Sequence, residues 1–504
     1  MLEAARNAGI SIHSMCYSHG HDNHPSCMIC VLKDNKTGNL FPSCAIKAVA
    51  GMDLSNDDPD VKAARKDTLD LLMSDHVGDC EAPCSLACPA GMNIPMMNRL
   101  IAAGDFAGSL RVVKEEIALP FILGYICPAP CEKACRRKQV DEAVSVCLLK
   151  RFVAAEDESS GTRYLPVKAT ASGKKVAIIG TGPAGLAAAY YLLQRGHECV
   201  LYDKNNEAGG ALRTAIPANE LPREALDVEV DRIRSYGASF MLGREITKEI
   251  FTGEIAPAFH AIIIATGDIT TDGNLAAMFR GSKTGISVSE GTYETSEPRV
   301  FACGSVLRAQ KMSVRAVAQG KAAAIAADQF MKGMKPEKSV KRFNSRFDKL
   351  SEPEFAEYLK EADSTSRHEP FGGMLAGYCQ EEALDEARRC LHCDCRKLDD
   401  CRLREYCDEY GADRKKYASG ERNVIIKHFD HEQVVYEPEK CIRCGLCIDI
   451  TVKSGEATGL TFMQRGYDVR VNVPFNRPMS DALTHSAVAC VESCPTGALS
   501  FKKR

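Results

Sequence analysis

The chain has 504 residues, 45% of them hydrophobic and 26% charged, with a formal net charge of −3. That is the composition of an ordinary multidomain soluble protein, and the near-neutral charge gives no reason to expect nucleic acid or an anionic membrane surface as a partner. No apolar run approaches the roughly 18 residues of a bilayer crossing and the start lacks a secretory signal, so a cytoplasmic location without membrane insertion is expected. The 24 cysteines fall mostly in four clumps. In a long chain without a secretion signal, such spacing points to metal or cluster ligation, not to disulfides.

Residues 1–55 carry Cys16-x10-Cys27-x2-Cys30-x13-Cys44. Zinc ribbons usually show two close pairs, and plant-type [2Fe–2S] sites use a shorter first gap. The segments "LEAARNAGISIHSMC", "SCMIC" and "PSCAIKAVAGM" resemble the N-terminal domain of the large iron–sulfur subunit of respiratory complex I and its hydrogenase relatives. The resemblance implies a β-grasp, ferredoxin-like domain holding one [2Fe–2S] cluster on these four cysteines. That family begins with a strand hairpin before "LEAA", whereas this chain begins at Met1-Leu2; either the hairpin is absent, which would leave a sheet edge for a partner to cover, or the true start lies upstream. His19, His21 and His24 read as a solvated polar loop, because four cysteines already suffice.

Residues 56–160 read as helical, with apolar residues at i, i+3 and i+4 in "LDLLMSDH" and "MMNRLIAAGDFAGSLRVVKEE". The cysteines are Cys80, Cys84, Cys88, Cys127, Cys131, Cys135 and Cys147, with proline after Cys88 and Cys127 as often follows a cluster cysteine. "CPAGMNIP", "GYICPAPCEKAC" and "VSVCLLKRF" resemble the N-terminal domain of the glutamate synthase small subunit. Dihydropyrimidine dehydrogenase and the bifurcating ferredoxin–NADP transhydrogenases are its relatives. The resemblance implies two [4Fe–4S] clusters with interleaved ligands. One set would be Cys80, Cys84 and Cys135, with His76 in place of the family's missing leading cysteine. The other would be Cys88, Cys127 and Cys131, with Cys147.

Residues 172–334 open with a short apolar strand ending at Ile179. Gly180, Gly182 and Gly185 follow as G-x-G-x-x-G around Pro183 and Ala184, then a helix and the strand "ECVLYD" ending at Asp203, with Lys204 beside it. Glycines admit a pyrophosphate to a helix N-terminus, and the acid reaches a ribose hydroxyl. "EAGGALRTAIP" (Gly210), "IIIATGD" (Ala265, Thr266, Gly267) and "VFACGSV" (Gly304) match FAD-contacting segments of the glutamate synthase family, so the resemblance implies FAD. Ser305 stands where that family usually has an aspartate, which predicts weaker flavin binding or an altered potential. Relatives insert a nicotinamide domain on the order of 100 residues long between "ATG" and "VFA". Here a short Gly/Ser/Thr-rich segment joins Gly267 to Val300 with no second G-x-G-x-x-G, so a Rossmann-like FAD domain without the NAD(P)H insertion is expected.

Residues 335–425 read as a charged helical linker followed by Cys390-x2-Cys393-x1-Cys395-x5-Cys401-x5-Cys407. The first four predict a further [4Fe–4S] cluster, with Cys407 set aside; zinc is the alternative. Residues 430–504 resemble a bacterial ferredoxin. Cys441, Cys444, Cys447 and Cys494 complete one set, whereas Thr451, Thr484 and Ala487 replace three ligands of a second and leave Cys490 alone. One [4Fe–4S] cluster is therefore expected there. Cys199, Cys303 and Cys379 are expected to be plain buried thiols.

The sequence thus implies a multidomain α/β and α+β chain with FAD, one [2Fe–2S] and about four [4Fe–4S] clusters, and no residue suited to general acid–base catalysis. The resemblances imply an electron-transfer subunit of a multisubunit cytoplasmic oxidoreductase. Its partners would be NADH-oxidising FMN/iron–sulfur subunits of the complex I type. A molybdenum, tungsten or hydrogenase subunit, or ferredoxin, would stand on the other side. The alternatives are a stand-alone NAD(P)H-dependent reductase of the glutamate synthase type and a structural hub with a vestigial flavin site.

Overall fold

The computed structural model describes residues 1–502 apart from 162, 269–274, 276, 277, 283, 284, 348, 419 and 421. The backbone forms two compact units. One contains Met1–Ala82, Lys341–Ala362 and Leu391–Arg504; the other contains Pro83–Val340 and Asp363–Cys390. The first unit is therefore assembled from three stretches of chain. It begins with helix α1 (Leu2–Asn7) and strands β1 (Val31–Asp34), β2 (Leu40–Pro42) and β3 (Leu54–Ser55), paired antiparallel in the order β2-β1-β3. A small core of Leu2, Ile12, Cys30 and Leu32 lies within this part. Helix α2 (Pro59–Asp75) follows, started by Pro59 in the first turn and by the Asp58 carboxylate accepting from Asp60 N–H. Its buried Arg65 donates to Val31 O at 2.9 Å and so ties the helix to β1.

The second unit opens with six helices: α3 (Pro83–Ala87), α4 (Ile94–Ala102), α5 (Phe106–Glu116), α6 (Pro120–Ile126), α7 (Pro130–Lys133) and α8 (Val146–Ser159). Asn93 and Asp105 cap α4 and α5 by accepting from Met96 N–H and Gly108 N–H. A parallel sheet follows, with strands β4 (Lys175–Ile179), β5 (Glu198–Tyr202), β6 (Ser239–Met241), β7 (Ala261–Ile264) and β8 (Val300–Ala302) in the order β8-β7-β4-β5-β6. The runs "VAII" and "AIII" are buried throughout, as strands covered on both faces must be. Helix α9 (Pro183–Gln194) packs closely on α10 (Ser313–Met331). The backbones approach so near that a Cβ on Gly320 would lie 2.2 Å from Ala184 O. Helix α11 (Gln380–Arg388) returns to pack on α4 and α8. Beyond its end, buried Arg389 pairs with Glu386 at 2.9 Å and Asp141 at 3.0 Å.

The first unit resumes with α12 (Arg402–Glu409), strands β9 (Val434–Tyr436) and β10 (Leu499–Phe501) as an antiparallel pair, and helices α13 (Leu446–Lys453) and α14 (Ala487–Ser493) packed on each other. These units differ from the boundaries drawn on the sequence. The 56–160 segment does not form one body, because Leu69 and Met73 of α2 are buried with Leu403 and Tyr406 of α12. Apolar burial, not chain continuity, decides which unit α2 joins. The 335–425 segment is likewise divided between the units. Of the segment joining Gly267 to Val300, residues 269–274, 276, 277, 283 and 284 lie outside the described residues.

Candidate redox sites

In the first unit, Cys16, Cys27, Cys30 and Cys44 converge. The thiols of Cys27 and Cys44 hydrogen-bond the Cys16 sulfur and pull its pKa down to about 2, against burial; those of Cys27 and Cys44 rise in return. Cys30 is drawn down to about 6, chiefly by Cys44. All four sequence-predicted ligands are thus together at the rim of the β1–β3 sheet. The intervening loop is less solvated than expected: His21 Nδ1 lies 2.7 Å from Asp449 Oδ2 on α13, and Lys453 donates to Gly20 O at 2.9 Å.

A second convergence joins residues distant in sequence. Cys395 N–H donates to Cys80 O at 3.1 Å, and Ser345 N–H approaches Cys80 Sγ at 3.4 Å. Burial pushes the Cys80 thiol up to about 11, with the neighbouring Cys395 adding to the rise. Cys401 is pushed up to about 12 by burial, with Cys395 and Cys80 beside it. Four residues before Cys80, His76 has an Nδ1 sealed from solvent without a hydrogen-bond partner. Burial, then the Lys440 and Arg414 cations, lowers its pKa to about 3, so the imidazole stays neutral and able to bind a metal. Lys440 is buried beside Cys395 and pairs with Glu437 at 2.6 Å. The pocket is tight: a Cβ on Gly497 would lie 2.2 Å from Cys395 Sγ, and one on Gly78 would lie 2.7 Å from Lys440 Cε. This departs from the sequence expectation, which grouped His76 and Cys80 with Cys84 and Cys135 and grouped Cys395 and Cys401 with Cys390 and Cys393. Cys407, set aside from the sequence, is fully buried near Cys401.

The third convergence is the C-terminal set. Cys441, Cys444, Cys447 and Cys494 line a cavity with about 350 Å³ of atom-free space, part of it open to solvent, walled by Tyr436 and Val471. The C-x2-C-x2-C loop is wound by positive φ at Arg443 (56°) and Gly445 (78°), which aims Arg443 N–H at Cys441 Sγ at 3.3 Å. The positions of a second ligand set are filled differently. Thr451 is fully buried and accepts from Leu460 N–H, and Cys490 is buried with its thiol towards Cys447 O at 3.7 Å. Cys16, Cys27, Cys401, Cys407 and Cys444 share one continuous buried core, which brings the three convergences of this unit side by side.

In the second unit, Cys127 and Cys131 hydrogen-bond with Cys147, and buried Lys150 is influenced by Cys147, Cys127, Cys131 and Cys88. The expected proximal four are therefore neighbours. Cys84, Cys135 and Cys390 pack against the same core, and Arg389 lies near Cys135. Cys199 and Cys303 are fully buried, but Cys379 is exposed and precedes α11 in a capping box with Glu382. Sequence reasoning missed Lys150 and Lys440; for Lys150, a lysine one turn beyond a cysteine in an apolar helix was the available signal.

Around the dinucleotide fingerprint, a Cβ on Gly180 would lie 2.2 Å from Ala265 O and one on Gly185 2.0 Å from Gly180 O. Gly182 faces open space at the N-terminus of α9, so backbone N–H groups there are approachable by a phosphate. Asp203 is tied back: its carboxylate accepts from Thr181 N–H at 2.8 Å, Thr181 Oγ1 at 2.6 Å and Asn205 N–H at 2.9 Å. Lys204 is exposed. Gly304 N–H donates to Gln319 Oε1 at 2.9 Å, and Gln310 bridges to the same oxygen. Pro183 and Ala184 open α9, Gly210 adjoins Gly182, and Ala265, Thr266, Gly267 and Ser305 follow the C-terminal ends of β7 and β8, where ligands bind open parallel sheets. Among the described residues, no three His, Cys, Asp or Glu groups close around the position of one metal ion.

Residues 74–162 match the family described as dihydropyrimidine dehydrogenase domain II, 4Fe-4S cluster. Residues 178–244 match an NAD(P)-binding Rossmann-like domain. The chain is 36% identical over 207 residues to the NADP(+)-dependent formate dehydrogenase subunit beta of Moorella thermoacetica, covering 37% of this chain and 29% of that protein. It is 38% identical over 189 residues to the NADPH-Fe(3+) oxidoreductase subunit beta of Geobacter sulfurreducens, covering 37% and 28%. It is 33% identical over 211 residues to the NAD-dependent dihydropyrimidine dehydrogenase subunit PreT of Escherichia coli O157:H7, covering 41% and 50%. The chain thus spans less than a third of the first two relatives and half of the third. All three relatives are oxidoreductase subunits by name. No helix among the described residues is long and apolar enough to cross a membrane.

Proposed function

We propose that the chain is an electron-transfer subunit of a multisubunit oxidoreductase, carrying FAD, one [2Fe–2S] and four [4Fe–4S] clusters. When bound, the clusters supply one-electron steps and the flavin exchanges electrons singly or in pairs. The observation that carries the reading is the single buried core of the first unit, in which thiols from three convergences lie together. Cys16, Cys27, Cys30 and Cys44 hold the [2Fe–2S] cluster. His76, Cys80, Cys395 and Cys401 hold a [4Fe–4S] cluster; Lys440 offsets its charge. Cys441, Cys444, Cys447 and Cys494 hold another. In the second unit Cys88, Cys127, Cys131 and Cys147 form the proximal set. Cys84, Cys135 and Cys390 contribute to the distal one. Gly180, Gly182 and Gly185 admit the pyrophosphate of FAD, and the segment between Gly267 and Val300 is too short for a separate nicotinamide domain. Donor and acceptor are then partner subunits: an NADH-oxidising flavin subunit on one side, a further redox subunit or ferredoxin on the other.

Anaerobically isolated protein should contain FAD and about 18 iron atoms, and its flavin should be reduced by dithionite but not promptly by NADH or NADPH alone. Rapid reduction by either nucleotide without a partner would establish the stand-alone reductase instead. Cys80→Ala and Cys401→Ala should abolish the same electron paramagnetic resonance signal, Cys135→Ala a different one, and Cys407→Ala none. Loss of one common signal in Cys80→Ala and Cys135→Ala would restore the grouping expected from sequence.

A further inference from the structure

Lys150 is 3% exposed, inside a helical core in which three other buried cations meet carboxylates. Arg137 pairs with Asp141, Arg232 with Asp157 and Arg389 with Glu386. The groups facing the Lys150 ammonium are thiols instead: Cys147 Sγ at 4.0 Å, with Cys127, Cys131 and Cys88 around it. Taking an ammonium out of water costs several kcal/mol unless negative charge compensates it. Four neutral thiols would not provide that; thiolates bound to iron would. Lys150 also stands one turn after Cys147 on α8, so the helix itself fixes its distance from that sulfur.

We propose that Lys150 is a positioning residue for the proximal iron–sulfur site. Its ammonium, held against the Cys147 thiolate, keeps the reduction potential of that site above the value an uncharged pocket would give. The inference rests on the ligand set Cys88, Cys127, Cys131 and Cys147. Uptake of one electron adds one negative charge to the site without a proton. A fixed positive charge a few ångströms away in a poorly solvated pocket favours that state.

The test is an anaerobic potentiometric titration of the full chain followed by electron paramagnetic resonance, with iron content measured for each variant. Cys147→Ala first identifies the signal of the proximal site. Lys150→Met should shift the midpoint of that signal downward by at least a tenfold change in its equilibrium, 59 mV for one electron, at unchanged iron content. Lys150→Arg should return most of the shift. A Lys150→Met protein with full iron and the wild-type midpoint overturns the proposal. If the Met variant loses iron at this site, Lys150→Gln is titrated under the same two outcomes. If Cys147→Ala alters no signal, the ligand set itself is wrong, and the proposal falls with it for that separate reason.

Discussion

Gly497 and Glu354 show how much single positions decide in the first unit. A methyl group on Gly497 would lie 2.2 Å from Cys395 Sγ, so Gly497→Ala should displace that sulfur and remove the cluster assigned to His76, Cys80, Cys395 and Cys401. Iron analysis should then fall by about four atoms, with the C-terminal signal retained. Glu354 is fully buried and accepts from Ser351 N–H at 2.8 Å and Ile425 N–H at 2.9 Å while pairing with Arg422. Burial raises its pKa, but Arg422 and the two N–H groups outweigh burial and bring it to about 2. A carboxylate with its pKa depressed on folding stabilises above pH 4.5, and the contribution disappears as pH falls towards 2. The shift corresponds to about 3 kcal/mol. Glu354→Gln should therefore be less stable than wild type at pH 7, and the difference should shrink between pH 4.5 and 2 when thermal unfolding is followed by circular dichroism.

At the level of elements, α13 and α14 account for the single ligand set expected from the sequence of residues 430–504. Thr451 on α13 turns its hydroxyl to Leu460 N–H and Ile448 O, and Cys490 on α14 is sealed among Val471, Leu483 and Val491. Side chains occupy the space of a second set. Cys490→Ala should consequently leave the iron content unchanged and cost only the modest stability of a small buried group. The convergence of Cys441, Cys444, Cys447 and Cys494 on one cavity was legible from sequence because these cysteines lie within two short motifs, and Thr451, Thr484 and Ala487 can be read directly. The α2 helix was legible as a helix, with its Asp58 cap and apolar spacing, but its partner was not. Nothing local in "LDLLMSDH" says that Leu69 and Met73 are buried with Leu403 and Tyr406.

Across the whole chain, the same gap explains which ligand groupings sequence could give. Short-range spacing identified the cysteine clumps and the flavin-type strand–glycine–helix order. It misled at Cys80, which is four residues from Cys84 yet contacts Cys395, because the backbone closes a very long loop there. The tying back of Asp203 by Thr181 was equally invisible, since both residues fit the dinucleotide pattern. If electrons from a partner enter through the N-terminal thiol set, Cys27→Ala should abolish reduction by that partner while dithionite still reduces the remaining centres, as read by visible absorbance.

The three-stretch construction of the first unit also has a consequence for synthesis. A ribosome releases His76 and Cys80, then makes the whole of Pro83–Val340 before it delivers Cys395 and Cys401. The pocket lined by both pairs is complete only once the chain has been made past Cys401, so a product that stops before Cys395 lacks two of the four groups. The thiols of Cys16, Cys27, Cys30 and Cys44 and those of Cys88, Cys127, Cys131 and Cys147 are all synthesised before Cys395, so the pocket of His76 and Cys80 closes after both of those sets have been delivered.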